Sequence, residues 1–415
     1  MGIKLTRGWL MAATVFAATG FTIGTGAYAF GLFVQPLENE FGWSRTAINA
    51  SLSFAALSGL VSPIAGYLMD RHGARPVLIV SVLLMALSYL LRPLMSELWH
   101  WYALSVLFNL GFPGATSLAA GRLVAIWFPK TRGRVMGVVS MGNNFGGLTL
   151  TPLASLVVTT AGWQYGYGLF GLLAIVIALL AFFFVHDQPR GGRPAQGKPA
   201  PQDQAGADKP QLQGFTARQA FRTRAFYSVA VGVLLGSFTY SAVLPQIIPH
   251  LENVGMSSGR ASLLLSLMAL LGLIGKGLFG YLSDKLTALG AFMVSLGVQV
   301  AGLILIVSSG SSSLPWVIVP FFGLGFGAMG ALIPLTVQEI FGVKAYGSIA
   351  GMVNVFTVVS YFAGPIMVGA YFDATGDYKL AFLTVAGLFF LGIMTLASAR
   401  LPGWAAAPAE AAKDS

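Results

Sequence analysis

Long apolar blocks separated by short polar stretches run the length of this chain. The blocks fall at 9–34, 45–69, 76–95, 101–127, 134–158 and 164–185, and a second six at 224–249, 258–281, 288–308, 315–339, 346–371 and 380–400. A helix needs about 20 residues to cross ~30 Å of hydrocarbon, so the pattern predicts twelve membrane-spanning helices. It divides the chain into a first six-helix unit over 1–185, a linker over 186–223, a second unit over 224–401 and a tail over 402–415. The linker is rich in Pro, Gly, Gln and Ala, a composition that does not fold, and reads as partly disordered. Its end, 215–224, has the pattern of a short amphipathic helix lying on the membrane surface.

The two units repeat one another. Leu37-Glu38-Asn39 recurs as Leu251-Glu252-Asn253, and Gly66-Tyr67-Leu68-Met69-Asp70-Arg71 as Gly280-Tyr281-Leu282-Ser283-Asp284-Lys285, both at an offset of 214. Gly137 with Gly351 and Gly162 with Gly376 keep that offset, and Phe128 with Phe341 and Pro152 with Pro365 stand at 213. Six spans per repeat, an even number, makes the halves run in parallel about an axis along the membrane normal. The expected fold is therefore an all-α membrane protein of two pseudo-symmetric six-helix bundles, with a substrate site at midplane between rocking halves. The repeat also bears on the first span, whose Lys4, Arg7 and Ala27-Tyr28-Ala29 resemble a cleaved signal. Cleavage would leave the seventh span without its counterpart.

Composition agrees with the pattern: 56% of residues are hydrophobic and 9% charged, against about a quarter charged in soluble domains. The 52 glycines suit helices that pack closely in lipid. Cysteine is absent, which excludes disulfide and thiol chemistry. The net charge of +10 does not point to nucleic acid, because the basic residues are dispersed among short loops. Of 24 Lys and Arg, 18 fall on the side of the N-terminus, while Arg45, Arg92, Arg260 and Lys379 fall on the other. Both termini and the linker are therefore expected in the cytoplasm, with the chain in the plasma (inner) membrane. Arg122 and Lys276 remain, inside predicted spans.

Gly66-Tyr67-Leu68-Met69-Asp70-Arg71-His72-Gly73-Ala74-Arg75 resembles the loop between helices 2 and 3 of the major facilitator superfamily, with a weaker copy at Gly280 to Lys285. Asp70 with Arg71 and Arg75, and Asp284 with Lys285, are read as charge clusters that latch the halves at the cytoplasmic side. Two further stretches, 28–46 and 127–137, resemble the monocarboxylate transporters and oxalate:formate antiporters of that superfamily. In that branch an Arg in helix 8, eight residues before the loop Asp, engages the substrate carboxylate; the resemblance carries this role, with a changed residue, to Lys276, eight residues before Asp284. The branch's further cations correspond here to Val353 and Leu32, and its acidic residue before the helix-8 cation to Gly272. One central cation suits a substrate with a single carboxylate.

Residue depth supports the same choice. Lys276 is seven residues from Ser283, ~10 Å along a helix and about 5 Å from the midplane of the bilayer. A cation there is costly and usually faces a cavity or a partner; snorkelling of the stem is the bland alternative. Arg122 stands at similar depth beside Trp127 and Phe128, where snorkelling is the better reading and a second anion contact or gate the runner-up. Tyr28, Tyr240, Asn109, Phe112, Asn143 and Asn354 are the candidate pocket residues, with Asn144 beside Asn143. Each has an alternative as an interhelical hydrogen bond. His250 reads as a rim residue with a minor proton-site role.

No catalytic residue, metal-ligand spacing or cofactor motif is found. The expectation is a secondary transporter, monomeric as a functional unit, that moves a lactate- or pyruvate-like monocarboxylate by alternating access along helices 1, 4, 5, 7, 8 and 11. No Asp or Glu lies deep in a span. Coupling therefore falls either to a proton carried by Lys276, giving symport, or to exchange of one anion for another. A drug or lipophile exporter of the same fold is the rival class.

Overall fold

A computed structural model describes residues 7–188, 213–309 and 313–399. Among them are twelve long helices: α1 (Arg7–Tyr28), α2 (Ala47–His72), α3 (Ala74–Leu94), α4 (Leu98–Trp127), α5 (Arg132–Ala161), α6 (Trp163–Phe184), α7 (Arg224–Asn253), α8 (Ser258–Lys285), α9 (Ala288–Ser309), α10 (Pro315–Phe341), α11 (Tyr346–Thr375) and α12 (Lys379–Ala397). Eleven are long and apolar enough to cross a membrane. The twelfth, α5, is 30 residues long, but Asn143, Asn144 and its glycines and threonines dilute its hydropathy. Lys4, residues 189–212 of the linker and the tail at 402–415 lie outside the described residues.

Helices turn back sharply where the chain leaves the apolar layer. Gly73 (φ 97°) joins α2 to α3 and Gly162 (φ 106°) joins α5 to α6, backbone conformations that a side chain disfavours. Asp187 accepts from the α3 amides of Ala74 at 2.5 Å and Arg75 at 3.1 Å, which satisfies donors that a helix start leaves open. Glu339 does the same for Leu289 of α9 at 2.9 Å. That carboxylate is committed to a cap.

Small residues set the helix spacing. A Cβ on Gly146 of α5 would run into the carbonyl of Gly20 on α1, and one on Gly24 would meet the Gly146 backbone. The two backbones touch, as lipid-embedded helices do when glycine lets them. Gly146→Ala is expected to push α1 from α5 and destabilise the protein by about 1–3 kcal/mol, read as a lowered midpoint of thermal unfolding in detergent; an unchanged midpoint would show that the contact is slack. The two seams between the halves use the same device: Gly137 (α5) packs on the carbonyl of Lys276 (α8), and Gly351 (α11) on that of Ser62 (α2). Both members of each seam differ by 214 from those of the other, so the internal repeat has become a pair of symmetry-related contacts.

The end of the linker departs from expectation. Its helix is four residues, Ala217–Ala220, closed by a capping box between Thr216 and Gln219. Before it, the Phe215 amide donates to Phe341 O at 2.9 Å and the Val343 amide to Gln213 O at 3.0 Å, while Ala220 is buried. The segment is pinned to the α10–α11 turn by backbone pairing, and it forms no amphipathic helix on the membrane surface.

Candidate functional site: a lysine cavity between two latched bundles

Two carboxylates close the face on which the α2–α3 turn lies, called here the near face. Asp70, at the end of α2, receives the Gly347 amide at 2.9 Å and the Ser348 amide at 2.7 Å from the first turn of α11. Asp284, at the end of α8, receives the Gly133 amide at 2.8 Å and the Arg134 amide at 3.0 Å from the first turn of α5. Acceptor and donor positions of the two sets again differ by 214. Each half thus places an anion on a helix N-terminus of the other, where open amides and the helix dipole both favour it.

The symmetry is broken by one residue. Arg122 of α4 is buried and pairs with Asp70 at 2.5 Å, whereas the second half has the uncharged Leu335 and Thr336 at offsets of 213 and 214. Among the described residues, Asp284 has only Arg134 as a charged partner, 3.6 Å away and half exposed. Arg122 therefore neither snorkels nor lines the cavity; it is the countercharge of Asp70. Arg71 and Arg75, expected beside Asp70, stay on their own half. Arg71 reaches Tyr67 Oη at 3.4 Å, and Arg75 donates to Phe182 O at 2.5 Å while lying over the Phe182 ring. Lys285 lies 6.0 Å from the ring centroid of Tyr281. Sequence proximity suggested those partners, but an arginine a whole helix away supplies the buried charge.

Beyond these contacts a cavity of about 540 Å³ lies between the two halves. Both α1 and α7 change to π-helical winding there, at Gly24–Tyr28 and Thr239–Val243, and these wider turns carry Tyr28 and Tyr240 onto the cavity wall. Such bulges are rare and gather at functional sites. Lys276 enters from α8, only 7% exposed. Its Nζ donates to Asn144 Oδ1, and Asn144 Nδ2 in turn reaches Ala269 O at 3.4 Å. Among the described residues no carboxylate lies within 4.0 Å of Lys276. A cation is thus held at the centre of the protein with a neutral amide as its partner.

Lys276, Tyr28, Tyr240, Asn143 and Phe112 share this cavity, joined by Asn144. Asn109 does not: its Nδ2 bonds to Ser105 O at 2.8 Å and it faces a smaller neighbouring cavity. Asn354 lies on the α2–α11 seam, with Nδ2 3.4 Å from Ser62 Oγ. His250 is 2% exposed and packed 5.0 Å from the Phe382 ring, so it is buried inside the second bundle and is no rim residue. Sequence reasoning missed Tyr361 of α11 and Phe326, Gly327 and Gly330 of α10 on the cavity wall. It also left Arg92 in an outer loop, while the structure buries it. The density of glycine in α10 was the available signal for that helix.

The all-helical membrane fold agrees with the comparisons. Residues 15–365 match the family model of the Major Facilitator Superfamily. The chain belongs to that superfamily. It is a multi-pass membrane transporter, similar to Monocarboxylate transporter 11 of Homo sapiens (26% identity, covering 93% of this chain and 81% of the relative) and Monocarboxylate transporter 4 of Rattus norvegicus (26%, 91% and 79%). Its fold is that of the proton:xylose symporter XylE bound to 6-bromo-6-deoxy-D-glucose, with a TM-score of 0.71 at 13% identity, covering 96% of this chain and 97% of that one.

Proposed function

We propose that this transporter carries a small organic monocarboxylate by alternating access, with Lys276 as the residue that holds the carboxylate. The observation that carries the reading is a lone buried lysine, partnered by an amide oxygen, in a cavity whose other polar groups are neutral. In that low-dielectric setting an arriving carboxylate supplies the missing charge and strengthens the pairing. Tyr28, Tyr240, Asn143 and Asn144 offer hydrogen bonds to it, and Phe112, Phe326 and Tyr361 offer an apolar wall to the rest of the acid. Similarity to proteins named monocarboxylate transporters supports the substrate class.

In this scheme the bodies that rock are 1–185 and 224–401, joined by 186–223 and followed by a tail at 402–415, with a single chain as the working unit. The near face is the cytoplasmic one, by its excess of Lys and Arg, and the membrane is the plasma (inner) membrane. Asp70 and Asp284 release their helix N-termini when the bundles rock inward. Lys276 must be neutral or paired whenever the halves move, because reorienting an uncompensated cation through the apolar layer is slow. A lysine can release its proton for the empty return, which makes the cycle a proton symport; an arginine cannot.

Two measurements on proteoliposomes test this. Counterflow with a panel of labelled mono- and dicarboxylates should select small monocarboxylates, and failure of every one sinks the substrate assignment. Lys276→Arg should retain exchange, with net proton-coupled uptake at least tenfold down. Unimpaired net uptake in that variant would rule out the lysine as proton carrier.

A further inference from the structure

Arg92 ends α3 on the face opposite the latch, yet it is only 6% exposed. Its guanidinium sits in a box of three aromatic rings, 4.4 Å from the Trp101 centroid, 4.6 Å from Tyr167 and 5.0 Å from Tyr89. Ring faces attract the cation, but they accept little from the N–H groups, which point outward in the guanidinium plane. Arg92 Nε is buried without a hydrogen-bond partner, and so is Tyr167 Oη beside it. No carboxylate lies within 4.0 Å of this arginine among the described residues.

Arg92 and Tyr167 line a cavity of about 220 Å³ inside the first bundle. The serine and threonine hydroxyls around it have spent their protons: Thr25 donates to Phe21 O at 2.7 Å, Ser51 to Ile48 O at 2.8 Å and Ser105 to Trp101 O at 2.8 Å. What remains is a buried positive charge and two open donors beside a small space, which is a site for an acceptor that carries negative charge. Ile23, Ala27 and Phe112 line both this cavity and that of Lys276, so the two spaces share a wall.

We propose that the Arg92 cavity is a second binding site for a small monocarboxylate, a station on the far-face side of the Lys276 cavity. Its place on the substrate's route rests on the function proposed above; its capacity to bind a carboxylate does not. Trp101 lies against Arg92 and supplies the readout. Purified Lys276→Ala protein, in which the central site is disabled, is titrated with acetate and with chloride while tryptophan fluorescence is followed. A saturable response to acetate is expected, absent in Lys276→Ala/Trp101→Phe and at least tenfold weaker in affinity when Arg92→Gln is added. Asn109→Leu, which fills the cavity and leaves the aromatic box intact, is expected to weaken it similarly and covers the case in which Arg92→Gln fails to fold. A response to chloride alone, or an acetate response that survives both Arg92→Gln and Asn109→Leu, would overturn the proposal. If the acetate response behaves as expected while Lys276→Ala still transports monocarboxylates at the wild-type rate, the second site stands and the role given to Lys276 falls.

Discussion

Lys276→Ala is expected to lower counterflow of small monocarboxylates by at least 100-fold without lowering the thermal stability of the protein. Both halves of that result follow from the isolation of the lysine. Removing one partner of a buried, hydrogen-bonded charge pair costs about 2–5 kcal/mol or more, and a factor of ten in affinity corresponds to about 1.4 kcal/mol. In the empty protein the balance runs the other way. Among the described residues no carboxylate pairs with Lys276, and an unpaired lysine inside a span costs about 2.5–3.5 kcal/mol. Its removal should leave the unfolding midpoint unchanged or raised. A structural lysine would behave oppositely, with transport and stability falling together. Retention of counterflow in Lys276→Ala would sink the assignment.

Asp70→Asn is expected to loosen the near face far more than Asp284→Asn, although the two carboxylates occupy equivalent positions. Each caps a helix of the opposite bundle, and loss of charge at a cap costs about 1 kcal/mol. Only Asp70 also neutralises a buried arginine at 2.5 Å. Leaving Arg122 unpaired adds about 3–5 kcal/mol, enough to shift a closed-to-open ratio by 100-fold or more. Asp284 faces a half-exposed Arg134 at 3.6 Å, a pair worth at most about 1 kcal/mol. Because the chain contains no cysteine, a single Ser348→Cys reports near-face opening by its rate of alkylation. That rate should rise at least tenfold more with Asp70→Asn than with Asp284→Asn, and Arg122→Met combined with Asp70→Asn should recover part of the difference. Equal rates in the two single variants would refute the asymmetry.

What could be read before the fold was known divides by physical cause. Span number and the two-bundle plan were legible because transfer into lipid acts on blocks of about 20 residues, whatever their neighbours. The offset of 214 already pairs Asp70 with Asp284 and Ser62 with Lys276 in the sequence, and in the fold it also pairs the amide donors of Gly133 and Gly347. Lys276 was legible because a charge in an apolar run is conspicuous. Arg122 was equally conspicuous, but its partner is 52 residues away in sequence, and local reasoning assigned Asp70 to its chain neighbours Arg71 and Arg75. Arg92 was missed for a different reason. At the end of a span, a charge satisfied by water and one enclosed by Tyr89, Trp101 and Tyr167 look the same in the sequence.

The sequence by itself determined which segments are apolar enough to enter the membrane and that one lysine stands inside such a segment, because both follow from the free energy of placing a residue type in hydrocarbon, and its offset of 214 showed that the halves are copies. Only the tertiary structure decided who faces whom. It put Asn144 rather than an acid against Lys276, gave Arg122 to Asp70, and moved Asn109 and Asn354 away from the central cavity. Those choices depend on helix rotation, on π-helical turns in α1 and α7, and on glycines that set the distance between backbones. A helix turned by one residue moves its side chains through about 100°, while the hydropathy of the span stays the same.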